Sequence, residues 1–86
     1  MAKETILVVD DEHDILELVE YNLKEAGYTV ICADTGEQAL KMSQINQPDL
    51  IVLDLMLPGL DGLAVCRFLK GETRTSNIPI VMLTAK

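Results

Sequence analysis

The chain has 86 residues, which is room for one small domain. Its 14 acidic residues outnumber its 7 basic ones and give a net charge of -7, so we expect no direct binding to nucleic acid or to an anionic membrane surface. Apolar residues make up 49% of the chain with few aromatics, which is typical of an α/β domain. Cys32 and Cys66 lack metal-binding spacing, and we expect two reduced thiols in the core.

The first predicted elements are a strand and a helix. The apolar, β-branched run Thr5–Val9 ends in acids, which is typical of a strand buried on both faces. The run is too short for a signal peptide or a membrane span, so we expect a cytoplasmic protein. Apolar residues then recur at helical spacing and predict a first helix over about residues 14–26, with Glu20 and Lys24 paired one turn apart and Gly27 just past its end.

Strands and helices continue to alternate along the rest of the chain. Apolar runs predict three further strands, over residues 28–33, 49–55 and 78–84. The second helix begins at a capping box formed by Thr35 and Gln38, and the third is capped by Asp61 and runs to about residue 70, before a polar loop. The order β-α-β-α-β-α-β predicts parallel strands joined by right-handed crossovers, and hence a doubly wound α/β sheet.

Acidic residues stand at the ends of two predicted strands. Asp10 and Asp11 follow the first strand, and Asp54 lies inside the apolar run LIVLDLMLPGLDG near the end of the third. The chemistry of doubly wound sheets gathers at the carboxyl ends of the strands, so these carboxylates converge if the two strands are neighbours. Three carboxylates at such short distances cannot all stay ionised on their own, so either the pKa of one of them is raised or a cation is bound among them. Carboxylate oxygens are ligands that suit a hard divalent ion, above all Mg²⁺.

A simpler interpretation of ILVVDDE is a strand that runs into a helix with an acidic first turn. Asp54, embedded in a second apolar strand, weighs against it. Thr84 closes the predicted fourth strand, and we expect its hydroxyl to face the same crevice, where it could bond to a phosphoryl oxygen. His13 has no partner His or Cys nearby and is expected at the surface of the first helical turn.

Together, the segments ILVVDDE, LIVLDLMLPGLDG and IPIVMLTA resemble the receiver domain of two-component response regulators. The likeness extends over the whole chain, and MLPGLDG is most similar to receivers of the winged-helix transcription-factor subfamily. The resemblance implies a flavodoxin-like sheet with strand order 2-1-3-4. It also implies that the chain accepts a phosphoryl group from a sensor histidine kinase, with Mg²⁺ as cofactor, and is not a turnover enzyme.

The resemblance further implies a role for each candidate site residue. Asp54 matches the phosphoacceptor, whose carboxylate attacks the phosphohistidine of the kinase. Asp11 matches a direct Mg²⁺ ligand, Asp10 a ligand that acts largely through water, and Met56 the position whose backbone carbonyl contacts the metal. Thr84 matches the switch hydroxyl that moves toward the phosphoryl group.

The sequence stops directly after LTAK, whereas a receiver normally continues through a fourth helix, a fifth strand and a fifth helix. We therefore expect residues 1–86 to be an incomplete receiver domain with no output domain and without the active-site lysine of the family, for which Lys86 should not be mistaken. In a 2-1-3-4 sheet the fourth strand becomes a bare apolar edge. Such an edge predicts self-association.

Three other interpretations stay open from the residues alone. The chain could be a structural or assembly fragment without activity. A Mg²⁺-dependent phosphohydrolase of the haloacid-dehalogenase type also uses a strand-end Asp, but it requires an acid/base Asp two residues later, where this chain has Met56. A flavodoxin-like binder of flavin or nucleotide is disfavoured because the turn DDEHD has no glycine to approach a phosphate.

Overall fold

The computed structural model describes residues 3–83, and there the predicted alternation of strands and helices is confirmed. The elements, in chain order, are β1 (Thr5–Val9), α1 (His13–Glu25), β2 (Thr29–Ala33), α2 (Gly36–Asn46), β3 (Leu50–Asp54), α3 (Gly62–Gly71) and β4 (Ile80–Leu83). Most predicted ends agree within a residue, and β4 begins later than predicted because Pro79 precedes it without joining the strand. None of these three helices is long and apolar enough to cross a membrane.

The four strands are all parallel, and their order is β2-β1-β3-β4. This confirms the doubly wound, flavodoxin-like arrangement. β1 is central and pairs with β2 on one side and with β3 on the other, so that Val9 lies opposite both Ala33 and Leu53. At the far side of β3, Asp54 lies opposite Leu83 of β4. The carboxyl ends of the strands therefore meet at one edge of the sheet.

The two faces of the sheet carry separate apolar clusters, because successive strand residues point to opposite sides. On one face α1 packs over Ile6 and Val8 through Leu16. On the other face α2 and α3 pack over Leu7 and Val9. The larger cluster, between the sheet and these two helices, is built around Leu7, Val9, Ala39, Ile51, Leu53, Val65 and Leu69. The result is a three-layer α/β/α domain in which β1 and β3 are the most buried strands.

The two predicted side-chain caps are present. The Thr35 hydroxyl accepts a hydrogen bond from the backbone N–H of Gln38 at 3.1 Å, and the Asp61 carboxylate accepts one from Ala64 at 2.9 Å. The Gln38 side chain does not reach back to Thr35 as a capping box requires. Its oxygen accepts instead from the backbone N–H of Asp34, one residue earlier, at 3.1 Å.

The two cysteines are free, as predicted, but they are half-buried and pack against the apolar clusters instead of lying fully inside the core. Cys32 packs on the α1 side of the sheet, where burial raises the pKa of its thiol and the nearby Glu20 carboxylate raises it further. Glu20 is itself paired with Lys24 at 2.8 Å, which confirms the predicted contact one turn apart on α1.

The connection from α3 to β4 is more than the polar loop that the sequence predicts. Thr75 is fully buried there, and its hydroxyl donates a hydrogen bond to the carbonyl oxygen of Leu69 at 2.6 Å. The Lys70 ammonium donates to the carbonyl oxygens of Ser76 at 3.3 Å and Ile78 at 3.0 Å. These bonds anchor the connection to the end of α3 and so position the start of β4.

Replacing Thr75 by Val is expected to lower the free energy of unfolding by about 1 kcal/mol, because the change keeps the shape but removes the buried hydroxyl donor and leaves the Leu69 carbonyl oxygen only the longer, 3.4 Å hydrogen bond from the Glu72 N–H. Urea denaturation followed by circular dichroism measures this loss. Thr73→Val is the matched control, since Thr73 is exposed on the same connection. Equal stabilities of the two variants would show that the buried hydroxyl contributes nothing.

Candidate functional site

The parallel pairing of β1 and β3 brings three carboxylates together at the carboxyl end of the sheet. Asp10 and Asp11 directly follow β1, and Asp54 is the last residue of β3. One carboxylate oxygen from each of the three lies within 4.8 Å of the other two. The three acids that the sequence singles out therefore share one crevice.

Asp10 is the buried member of this acid cluster, with 6% of its surface exposed. Its backbone N–H donates to the carbonyl oxygen of Ala33 at 3.2 Å, which ties it to the end of β2. Its Oδ1 atom accepts from the backbone N–H of Glu12 at 2.9 Å. The N-cap of α1 is Glu12, which makes no side-chain cap hydrogen bond. The simpler interpretation of this motif, a strand that runs into a helix with an acidic first turn, does not account for the burial of Asp10.

Burial raises the pKa of the Asp10 carboxyl above its ordinary value. The hydrogen bond from Glu12 opposes this effect, while the negative charges of Asp54 and Asp11 add to it. Asp10 consequently holds its proton more tightly than an ordinary aspartate does. A cation in the crevice would favour the ionised form of Asp10.

Asp54 is half-buried at the end of β3. Its Oδ1 atom accepts a hydrogen bond from the backbone N–H of Met56 at 3.0 Å, which orients the carboxylate. Leu83 lies opposite Asp54 in the β3–β4 register. Thr84, the predicted switch hydroxyl, follows Leu83 and lies outside the described residues.

Met56 lies at the lip of the crevice, with 64% of its surface exposed. It helps to line an open groove of about 490 Å³ beside the acid cluster. The groove is lined by Asp11, Leu55, Met56, Leu57, Pro58, Asp61 and Leu63. Sequence reasoning missed this groove. Its only signal was the apolar content of the segment between β3 and α3, which looked like ordinary loop filling. The groove leaves the acid cluster accessible from solvent.

His13 and Asp34 make a hydrogen-bonding contact at the surface, at the beginning of α1. The His13 Nε2 atom lies 3.2 Å from the Asp34 carboxylate, and the side chains are 74% and 43% exposed. His13 is thus a surface residue of the first helical turn, as predicted. The pair links the start of α1 to the residue that follows β2.

The chemistry of the acid cluster suits a hard divalent cation. Its donors are carboxylate oxygens, and no histidine or cysteine among residues 3–83 belongs to the cluster. Mg²⁺ in proteins is typically held by one or two carboxylates, with water completing the coordination. The residues present therefore fit a magnesium site.

Sequence comparison identifies the relatives of this chain. The family model of the response regulator receiver domain matches residues 6–86. The alkaline phosphatase synthesis transcriptional regulatory protein PhoP of Bacillus subtilis (strain 168) is 56% identical over 81 residues, which cover 94% of this chain and 33% of that protein. The probable transcriptional regulator ycf27 of Porphyridium aerugineum is 51% identical over 85 residues, covering 99% of this chain and 34% of that protein. The chain spans about a third of the length of these relatives.

Solved structures with the same fold are also receiver domains. The N-terminal domain of a response regulator receiver protein from Methanoculleus marisnigri JR1 superposes with a TM-score of 0.95 at 39% identity, covering 99% of this chain and 69% of that one. The receiver domain of the sensor histidine kinase PA1611 from Pseudomonas aeruginosa PAO1 gives a TM-score of 0.93 at 32% identity, covering 99% and 70%. That structure has a magnesium ion coordinated in its active site cleft.

The family model, the relatives and the fold agree with one another and with the resemblance carried by the motifs. They favour neither a phosphohydrolase nor a flavin binder. Phosphorylation and Mg²⁺ are typical of the family to which they point. The chain belongs to the response regulator receiver domain family of two-component signalling, whose members are phosphoacceptor signalling modules and not classical enzymes.

Proposed function

We propose that this chain accepts a phosphoryl group on the Asp54 carboxylate from the phosphohistidine of a sensor histidine kinase, with Mg²⁺ bound in the acid cluster. The observation that carries this proposal is the approach of the Asp10, Asp11 and Asp54 oxygens to within 4.8 Å of one another. Membership of the receiver domain family supports phosphoryl transfer as the class of reaction. The open groove beside the cluster supplies a route by which a phosphodonor can reach it.

The burial of each acid supports the division of roles in this proposal. Asp11 is exposed and can contact the metal directly, together with Asp54 and the backbone carbonyl of Met56. Asp10 is buried and already accepts a hydrogen bond from Glu12, which suits contact with the metal through water. We assign to the Thr84 hydroxyl a hydrogen bond to the phosphoryl oxygens after transfer.

The transfer itself is a single displacement at phosphorus. An Asp54 oxygen forms the new P–O bond as the P–N bond of the phosphohistidine breaks, and the electron pair of that bond returns to the imidazole nitrogen. Held by Asp11, Asp54 and the Met56 carbonyl, Mg²⁺ would supply positive charge that offsets the charge on the phosphoryl oxygens. The Met56 N–H holds the attacking carboxylate in a fixed orientation, which reduces the entropy lost on reaching the transition state.

The proposed setting is cytoplasmic, with a sensor histidine kinase as partner. Both relatives compared above are named as transcriptional regulators, and we propose that residues 1–86 are the receiver part of such a regulator. With a net charge of -7, this part is proposed to make no direct contact with nucleic acid or membrane.

Phosphorylation of Asp54 is tested by intact mass after incubation with phosphoramidate, a small donor with a P–N bond. The wild-type chain is expected to gain one phosphoryl group in the presence of Mg²⁺, and the initial rate should fall about 100-fold or more when EDTA replaces the metal, because the developing charge is then uncompensated. Asp54→Asn should gain none. Asp14→Asn, the same change at an exposed acid of α1, should behave as wild type. Equal labelling of Asp54→Asn and wild type would rule out Asp54 as the acceptor.

A second prediction concerns the stability of the metal-free chain. Asp10→Asn should raise the free energy of unfolding at pH 7 in EDTA by about 1 kcal/mol, because it removes a buried charge that lies beside two others. The raised pKa of Asp10 means that the folded chain binds its proton up to a higher pH than the unfolded chain does. The contribution of Asp10 to the stability of the wild type is therefore fully present below the ordinary aspartate pKa, about 4, and is lost as pH rises through the raised one.

Urea denaturation at a series of pH values measures this difference. Asp10→Asn should lack the pH-dependent fall, whereas the control Asp14→Asn, which keeps Asp10, should show it as the wild type does. Saturating Mg²⁺ should reverse the order and stabilise the wild type more than Asp10→Asn, since the ion favours the ionised carboxylate. A wild type that is more stable than Asp10→Asn in EDTA at every pH would contradict the electrostatic description of the cluster.

We also propose that the 86-residue chain associates with a second copy of itself through β4. Within residues 3–83, β4 is hydrogen-bonded to β3 alone, so its other edge is open. Val81 on this strand is 47% exposed, and it lies opposite Val52, which is half-buried on the α1 face. An apolar edge strand of this kind favours pairing with another strand.

Light scattering at micromolar concentration is expected to show a dimer of the wild type. Val81→Lys should raise the dissociation constant about tenfold or more, because two-fold pairing of the edges brings two added charges together. Leu18→Lys is the matched control, since Leu18 is 58% exposed on α1, and it should leave the dimer intact. A monomeric wild type would contradict the proposed self-association through β4.

A further inference from the structure

Gly62, the first residue of α3, packs directly against the backbone of the phosphoacceptor strand. It is buried, and its N–H donates to the carbonyl oxygen of Leu55 at 3.2 Å. A Cβ atom at this position would lie 2.5 Å from the carbonyl oxygen of Asp54 and 2.8 Å from the Cα atom of Leu55. Both are backbone atoms, which cannot swing aside as a flexible side chain can. The place of Gly62 therefore requires that it carry no side chain.

The backbone that Gly62 contacts is also held from the opposite side. The Leu55 N–H donates to the carbonyl oxygen of Leu83 on β4 at 3.0 Å. Leu55 is thus fixed between β4 and the first residue of α3. The residues on either side of it are joined by the hydrogen bond from Met56 to the Asp54 carboxylate. A displacement of Leu55 would consequently move both the carboxylate of Asp54 and the peptide of Met56.

We propose that Gly62 is a positioning residue for the acid cluster, whose missing side chain sets where the Asp54 carboxylate and the Met56 peptide lie relative to Asp10 and Asp11. This inference rests on the proposed Mg²⁺ site. Moving a Cβ atom from 2.5 Å to the 3.4 Å of an ordinary contact requires a backbone shift of roughly 1 Å. Metal ligands need to be placed within about 0.5 Å, and loss of a supporting residue typically costs about 10–100-fold in metal affinity.

Gly36 provides a matched control within the same chain. It is also buried and is also the first residue of a helix, α2. A Cβ atom there would collide with the carbonyl oxygen of Leu60 and lie 2.9 Å from a methyl carbon of Val65. Gly36→Ala therefore imposes a comparable steric clash, but against Leu60 and α3 and not against Asp54 or Leu55. Gly71→Ala, with open space around the added methyl group, controls for the substitution itself.

The experiment is calorimetric titration of Mg²⁺ into the 86-residue chain and its three Gly→Ala variants, with the folded fraction of each measured by urea denaturation in EDTA. Gly62→Ala is expected to raise the Mg²⁺ dissociation constant about tenfold or more, while Gly36→Ala and Gly71→Ala stay within about twofold of wild type. A purely structural role would lower stability without changing the affinity of the folded molecules. If Gly62→Ala is partly unfolded, the titration is repeated in trimethylamine N-oxide, which favours the folded state.

The outcomes separate this inference from the proposed function. A wild-type chain that binds no Mg²⁺ would contradict the proposed metal site, and the inference with it. A wild type that binds Mg²⁺ while folded Gly62→Ala binds it equally well would overturn the inference alone. A Gly62→Ala chain that stays unfolded in the osmolyte, where Gly36→Ala folds, would also count against it, because Gly62 would then serve the fold as a whole.

Discussion

Parallel pairing of β1 with β3 is the constraint on which the rest of this molecule depends. The pairing sets Val9 opposite Leu53, so the residues that come next in the chain, Asp10 just after β1 and Asp54 at the end of β3, lie at the same edge of the sheet. The apolar residues that hold β1 and β3 together therefore also bring the carboxylates at their ends close to one another. A shift of one residue in this register would turn every side chain of β3 to the other face and remove Asp54 from the crevice.

Apolar packing around the acid cluster offsets the unfavourable repulsion between its carboxylates. Aliphatic clusters on both faces of the sheet keep β1 and β3 in place, although Asp10 is buried beside two other carboxylates. The cluster is thus a local region of unfavourable charge on a well-packed scaffold, a common property of functional sites. A divalent cation held among these carboxylates would offset that repulsion, so the geometry suits the binding of such an ion.

The segment between β3 and α3 converts this scaffold into a defined site. Asp54 is oriented by the N–H of Met56, and Leu55 is held by β4 on one side and by Gly62 on the other. The same segment presents Met56 at the lip of a largely apolar groove that is open to solvent. The position of the Asp54 carboxylate and its access to solvent are therefore both set by the short segment between β3 and α3. In that segment, backbone contacts matter more than the identity of the side chains.

The sequence by itself determined the elements of this protein, because their signals are local. Apolar runs, helical periodicity and the caps at Thr35 and Asp61 act over a few residues, and they predicted the strands and helices nearly to the residue. The same local signals marked Asp10, Asp11 and Asp54 as acids at strand ends. Residue patterns predicted a parallel sheet, whereas its strand order entered through the family resemblance.

Only the tertiary structure decided how these acids differ and what surrounds them. Asp10 is buried and Asp11 exposed although they are adjacent in sequence, because the residue after β1 bonds to the end of β2. Thr75 looks like a polar loop residue and is fully buried against the end of α3. Gly62 looks like an ordinary helix start and proves to touch the backbone of Asp54. Each of these outcomes depends on contacts between residues that lie apart in the chain, and periodicity and propensity carry no information about such distances.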